Sequence, residues 1–154
     1  MKIIKKSILG FVPFLLSAVI LLSISTPSQA KVPVGKYNGE LKITLDNKLI
    51  GRNDNHAVRI KTIKDNVRYS ILLDEFQVAN FNVSALKTYV TAKQAPKGDV
   101  KIAAKIKDNT GSFEITGTVE GIIHPNKTVE LIYNLHFGKM PKTITCFYKG
   151  TLNK

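Results

Sequence analysis

Cysteine is nearly absent from the 154 residues, with Cys146 standing alone. One thiol closes no intramolecular disulfide, so a stapled scaffold is excluded, and so is a zinc site built on paired cysteines. Acidic residues are scarce as well, 11 against 23 Lys and Arg, and histidine occurs three times. Helical periodicity is missing after residue 30, and the one long hydrophobic run lies at the N-terminus. A chain of this length supports one domain, which excludes a multidomain enzyme.

The first thirty residues read as a removable export signal. Lys2, Lys5 and Lys6 precede an apolar run from Ile8 to Ile24, and Ser28-Gln29-Ala30 offers the small residues that a signal peptidase reads. As an uncleaved helical anchor, that run would span about 25 Å, short of a hydrocarbon core of roughly 30 Å, and Gly10 and Pro13 weaken it further. No cysteine near the cut could accept a lipid. The expected division is therefore a signal peptide at 1–30 and one domain at 31–154, released to the periplasm or the extracellular space with no stable membrane span. Removing the leader's three lysines leaves 20 basic against 11 acidic residues, a formal charge of +9. Apolar residues stay frequent enough in the remainder to build a core, which sets the chain apart from disordered polycations.

What is abundant is period-two alternation, the mark of strands with one buried face. Tyr37, Gly39, Leu41, Ile43 and Leu45 alternate with polar neighbours; so do Val67, Tyr69, Ile71 and Leu73, and then Val100, Ile102, Ala104 and Ile106. Three more strands follow at Phe113–Ile123, Val129–Phe137 and Ile144–Leu152, and Val58–Ile63 supplies the second in chain order. A fourth, near Phe81–Thr91, changes parity in the middle, which a β-bulge around Ala85 would reconcile. Asp65-Asn66, Asp108 to Gly111, Pro125-Asn126 and Gly138 to Pro141 carry tight-turn chemistry, whereas Asp46–Asn55 and Ala92–Asp99 read as longer loops. Short turns force antiparallel neighbours, and closing eight such strands on themselves removes both exposed edges. The expected fold is all-β, a single eight-stranded antiparallel up-and-down β-barrel.

The start Gly35-Lys36-Tyr37-Asn38-Gly39, the segment Tyr69 to Phe81 and the close Met140-Pro141 to Gly150 resemble the bacterial calycin-like β-barrel domain of exported proteins. The resemblance covers nearly all of the chain after the leader. It implies a lipocalin-like architecture and no established activity. The chain has no tryptophan, so neither the Gly-x-Trp strand of lipocalins nor the tryptophan cage of avidins carries over.

Catalytic constellations are not apparent. Glu40, Glu114, Glu120 and Glu130 have outward parity and most aspartates fall in turns, so no two carboxylates converge. His56, His124 and His136 read as surface residues too far apart to share a metal, and Cys146 reads as a small buried hydrophobe without a base beside it. No catalytic residue, metal or cofactor is expected. Two binding readings stand. In the first, Tyr37, Tyr69, Phe113, Tyr133 and Tyr148 face inward and contact a small apolar or amphipathic ligand inside the barrel, with Gly39, Ala104, Gly117 and Gly150 leaving room. In the second the barrel is filled, and the outward Lys36, Lys42, Arg59, Lys61, Lys101, Lys105 and Lys107 dock an acidic glycan, lipid or protein. Lysine outnumbers arginine 17 to 3 after the leader, which disfavours specific nucleic-acid reading. Mass spectrometry of the protein from its own cells is expected to find an N-terminus at Lys31; an intact Met1 in the membrane fraction would support an anchor instead.

Overall fold

The computed structural model describes residues 30–64, 67–110 and 113–154. Residues 1–29 of the leader, and Asp65, Asn66, Gly111 and Ser112, lie outside the described residues. Among the described residues there are ten strands: β1 (Gly35–Leu45), β2 (Lys48–Lys64), β3 (Arg68–Leu73), β4 (Phe76–Val78), β5 (Phe81–Val83), β6 (Leu86–Gln94), β7 (Val100–Thr110), β8 (Phe113–Ile123), β9 (Thr128–Phe137) and β10 (Ile144–Leu152). Eight close a barrel in the order β1-β10-β9-β8-β7-β6-β3-β2, every pair antiparallel, while β4 and β5 form a separate hairpin. Among the described residues the helical content is one 3₁₀ turn, Pro96–Gly98. The alternation read from sequence is the alternation observed: along β10, Ile144, Cys146, Tyr148 and Gly150 are buried and the residues between them point outward.

Three local readings need correction. The stretch Asp46–Asn55 is no loop. Asp46 and Asn47, with φ of 48° and 62°, make a two-residue turn, and β2 begins at Lys48. The Asn/Asp composition that suggests a loop instead serves a bulge: Gly39 pairs with His56 but Leu41 pairs with Asn53, so β2 carries one extra residue there. The Ala92–Asp99 segment likewise begins as strand, because β6 runs to Gln94. The parity change near Ala85 is no bulge either. It separates two strands, β5 and β6, because the chain between β3 and β6 folds out into the β4–β5 hairpin over one end of the barrel.

That end, here the upper one, also collects the β1–β2, β7–β8 and β9–β10 turns. The lower end is crossed by the segment Ala30–Val34. Ala30 and Val32 are buried there, Tyr37 donates from its hydroxyl to the Pro33 carbonyl at 2.7 Å, and Tyr69 donates to the Ala30 carbonyl at 3.3 Å. Val32 and Pro33 remain after the expected cut.

His56 is buried, not on the surface, at 3% exposure. It continues the inward row of Ile60 and Val58, just before the bulge, and faces Gly39, which has no side chain to exclude it. Its Nε2–H donates to the Asp74 carbonyl at 3.1 Å and its Nδ1 accepts from the Asn53 amide at 3.3 Å. The Asn53 carbonyl oxygen accepts from the Asn55 N–H, which fixes the amide's orientation and hence the neutral tautomer of the ring. Phe76 and Tyr148 meet the ring edge-on at 6.3 and 6.5 Å. The imidazole therefore ties β2 to the residues that launch the β4–β5 hairpin.

Gly39 also lies opposite Gly150 of β10, and a Cβ on Gly39 would collide with the Lys149 carbonyl oxygen and the Gly150 Cα. Gly39→Ala is expected to cost about 3 kcal/mol in urea unfolding, because backbone rather than a movable side chain fills the space. Burial lowers the His56 pKa below its ordinary value, while Asp74 opposes the shift weakly. The unfolded chain thus binds the proton first: the stabilisation is full above about pH 6.5 and is lost as pH falls through the lower folded value. The thermal midpoint should drop between pH 7 and 5.5, and His56→Gln should flatten that part of the profile.

Candidate functional site

The inward tyrosines predicted to orient a ligand are all buried, Tyr37 and Tyr133 at 0% and Tyr69 and Tyr148 at 2% exposure. Three of them donate their hydroxyls to backbone carbonyls, that of Tyr69 to Ala30, the last residue before the expected cut. Tyr37 and Tyr69 hold the lower segment, and Tyr148 donates across the β10–β1–β2 wall, 3.0 Å from the Tyr37 carbonyl and 3.3 Å from that of His56. Its ring lies where a Gly150 side chain would be, so the two glycines make the trench that the tyrosine fills. Tyr133 differs. Its hydroxyl has no hydrogen-bond partner among the described residues, and burial raises its pKa far above the ordinary value. Cys146 pairs with Tyr133 across β9–β10, and burial pushes its thiol up to about 12. A thiol held protonated is a poor nucleophile.

Phe113 is the member of the predicted set that the structure places elsewhere. It is 44% exposed at the upper rim rather than inside, because β8 begins there, beyond the packed layers headed by Ile115. Its ring meets Phe81 of the hairpin edge-to-face at 5.8 Å. The parity of β8 assigned Phe113 the inward side correctly but said nothing of its height along the barrel.

Between these rings and the barrel end lies a cavity of about 330 Å³. Leu45, Phe137 and Ile144 contribute from the barrel strands, Val78 and Val83 from the hairpin, and Met140 from the β9–β10 turn. Phe81, Phe113 and Ile50 complete the apolar rim, with Asn82 as a polar neighbour and Lys139 as the lining's single charge. The hairpin is what makes this a cavity: Ala79, at φ 51°, lets the chain reverse between β4 and β5 so that both short strands lie over the mouth. Sequence reasoning missed Leu45, Ile50, Val78, Phe81, Val83 and Met140 as a group. Their apolar character is legible, but only the tertiary fold brings a turn, a hairpin and three strand ends together.

The outer wall carries the predicted cations. Lys36, Lys61, Lys101 and Lys105 are exposed, as expected. Lys42, Arg59 and Lys107 are also on the outside but are engaged, Lys42 with Glu40 at 3.1 Å, Arg59 with Asp74 at 2.5 Å and Lys107 with Glu114 at 3.7 Å. A furrow of about 1050 Å³ crosses this wall from β1 to β6, bordered by Lys42, Lys101 and Lys149 and by Glu40, Glu120 and Glu130. Two of its lysines pair with two of its glutamates, Lys42 with Glu40 and Lys149 with Glu130. Most of the furrow is thus electrically self-compensated, and the smaller, almost wholly apolar mouth is the stronger small-molecule site. The histidines do not converge: His124 bonds Asp99 at 2.9 Å, and His136 lies near Thr143 at 3.2 Å.

No protein-family description and no curated protein matches the chain. In structure it is similar to a protein of Bacteroides fragilis NCTC 9343 that carries a provisional outer-membrane designation, with a TM-score of 0.64 and 22% identity. The likeness covers 77% of this chain and 50% of that one, so the chain spans half of its neighbour's length. At this identity the shared property is the fold: an eight-stranded antiparallel barrel, of which the calycin-like resemblance implied the architecture.

Proposed function

We propose that the protein is an exported, non-enzymatic binding barrel that takes one small apolar or amphipathic ligand at its upper mouth. The observation that carries this reading is the cavity of about 330 Å³ under the β4–β5 hairpin, walled by aliphatic and aromatic side chains. That volume falls at the small end of the range of ligand pockets, roughly 300–1,000 Å³. Phe81 and Phe113, 58% and 44% exposed, supply apolar surface whose burial a ligand would complete. The ligand moves from the barrel's middle, where the sequence located it, to the mouth, because all four inward tyrosines are buried and all but Tyr133 donate to backbone carbonyls. Binding rather than catalysis is supported by His56, whose two nitrogens are both engaged, and by the protonated Cys146 thiol.

Export is supported by the charged start, apolar middle and small-residue end of the leader. The calycin-like resemblance belongs to exported proteins and agrees with it. The barrel itself does not suit a bilayer, since lysines 42, 101, 105 and 149 point outward where a lipid-spanning barrel keeps an apolar band. The reading is therefore of a protein that is released after crossing the inner membrane.

Displacement of anilinonaphthalene sulfonate by medium-chain alcohols and carboxylates is the direct test. One saturable site is expected, weakened roughly tenfold by Phe81→Ala, an exposed position at which truncation spares the core. Affinity that responds to Tyr133→Phe and ignores Phe81→Ala would place the ligand deep in the barrel and overturn the mouth.

A further inference from the structure

The wall formed by β2, β3 and β6 holds, below its upper edge, cations with no acid beside them among the described residues. Elsewhere on the barrel several bases have an acid beside them, although Lys36, Lys48 and Lys105 have none among the described residues: Glu40 meets Lys42 and Arg52, Glu130 meets Lys149, Glu114 meets Lys107, and Asp74 meets Arg59 at this wall's upper edge. Below that edge, Lys61, Lys64, Arg68, Lys87, Lys93 and Lys101 are exposed and enter no ion pair among the described residues. Asp65, in the β2–β3 turn, lies outside the described residues.

The register makes this arrangement more than a scatter of charge. Lys64 pairs directly with Arg68 across β2–β3, and Lys93 pairs directly with Lys101 across β6–β7. Like charges opposite one another in an antiparallel ladder are destabilising, so the isolated protein carries a cost that a bound polyanion relieves. Above the two pairs on the outward row of β6, beyond Thr91, which lies opposite Arg68, stands Tyr89, 56% exposed, with the Lys87 ammonium 5.5 Å from its ring centroid. Ser70 separates Tyr89 from Lys61 along one ladder row, which leaves the phenol ring standing clear above a small neighbour.

We propose that this wall binds a linear acidic polysaccharide, its carboxylate or sulfate groups lying over the cation pairs and a sugar ring lying on Tyr89. Five lysines to one arginine is a set of point charges suited to spaced anions rather than to the bidentate contacts of nucleic-acid reading. A lone exposed aromatic suits one sugar face, whereas single-stranded nucleic acid is held by successive stacked bases. Lys93 and Lys101 also border the outer furrow, which gives a polymer a path beyond the patch. The site is separate from the mouth, and either can fail without the other.

Isothermal titration of the purified protein with alginate oligomers is the test, with neutral dextran oligomers and oligothymidylate of matched length alongside. Alginate should bind, weaken steeply between 50 and 200 mM salt as approximate working concentrations, and lose roughly tenfold in affinity in the double variant Lys93→Gln, Lys101→Gln. The same variant should unfold at a higher temperature than the parent without glycan, because a like-charge pair is gone. Tyr89→Ala should weaken binding with the salt slope unchanged. An equal loss in the control pair Lys107→Gln, Lys142→Gln, which lies outside both the patch and the furrow, would reduce the effect to overall charge and overturn the site. Oligothymidylate binding as tightly as alginate, or no alginate binding by a folded protein, would overturn the ligand class.

Discussion

Closure of the strand ladder at β1 and β10 is the constraint on which everything else rests. Nine consecutive residue pairs, from Tyr37 with Leu152 to Leu45 with Ile144, join the first barrel strand to the last. Without them the sheet would have two bare edges and its apolar face would lie open to water. Close approach of the two backbones at Gly39 and Gly150 permits the seam, and Tyr148 locks it by reaching over those glycines to carbonyls on β1 and β2. A hydroxyl buried in this role satisfies backbone groups at the same time as it positions a large ring, so the tyrosine contributes both packing and register.

Once the barrel is closed, its two ends become different objects. The lower end is crossed by the N-terminal segment, which the Tyr37 hydroxyl holds at the Pro33 carbonyl and which Tyr69 reaches at Ala30, the last residue before the expected cut. The upper end is covered by a hairpin of two three-residue strands, too short to be stable alone. It is held by its anchoring residues instead: Asp74 through His56 and Arg59, and Phe76 against the imidazole. A cover with so few bonds of its own is the element that opens at least cost. The cavity beneath it thus sits under the part of the protein best able to admit a ligand.

Charge follows the same geometry. With the apolar residues committed to the interior, the excess of lysine falls on the outside, and acids are distributed unevenly over it. Glu40 on β1, Glu114 on β8 and Glu130 on β9 compensate bases beside them, while on β3 and the lower part of β6 the described residues supply no acid. Net charge alone says that the protein attracts anions; the strand order says which wall does so.

The period-two alternation of β1, β7, β8, β9 and β10 was sufficient to reveal an eight-stranded antiparallel barrel, because side-chain direction in a strand depends only on parity. The same parity placed Tyr37, Tyr69, Tyr133 and Tyr148 inside and Lys61 and Lys101 outside. It failed where local count and global position part company. With 46–55 read as a loop, His56 stood at a strand end, outside the alternation that it in fact continues from Ile60 and Val58, and a hairpin between β3 and β6 mimicked a bulge. Phe113 had the right direction at the wrong height. Parity also cannot say what a buried hydroxyl touches, since the carbonyls that accept from Tyr148 lie 111 and 92 residues away in the chain. By itself, then, the sequence determined the fold class and the two faces of each strand, which are local properties of a pleated backbone. The mouth, the buried histidine and the acid-free wall were decided by the tertiary structure alone, because each depends on which distant strands closure makes neighbours.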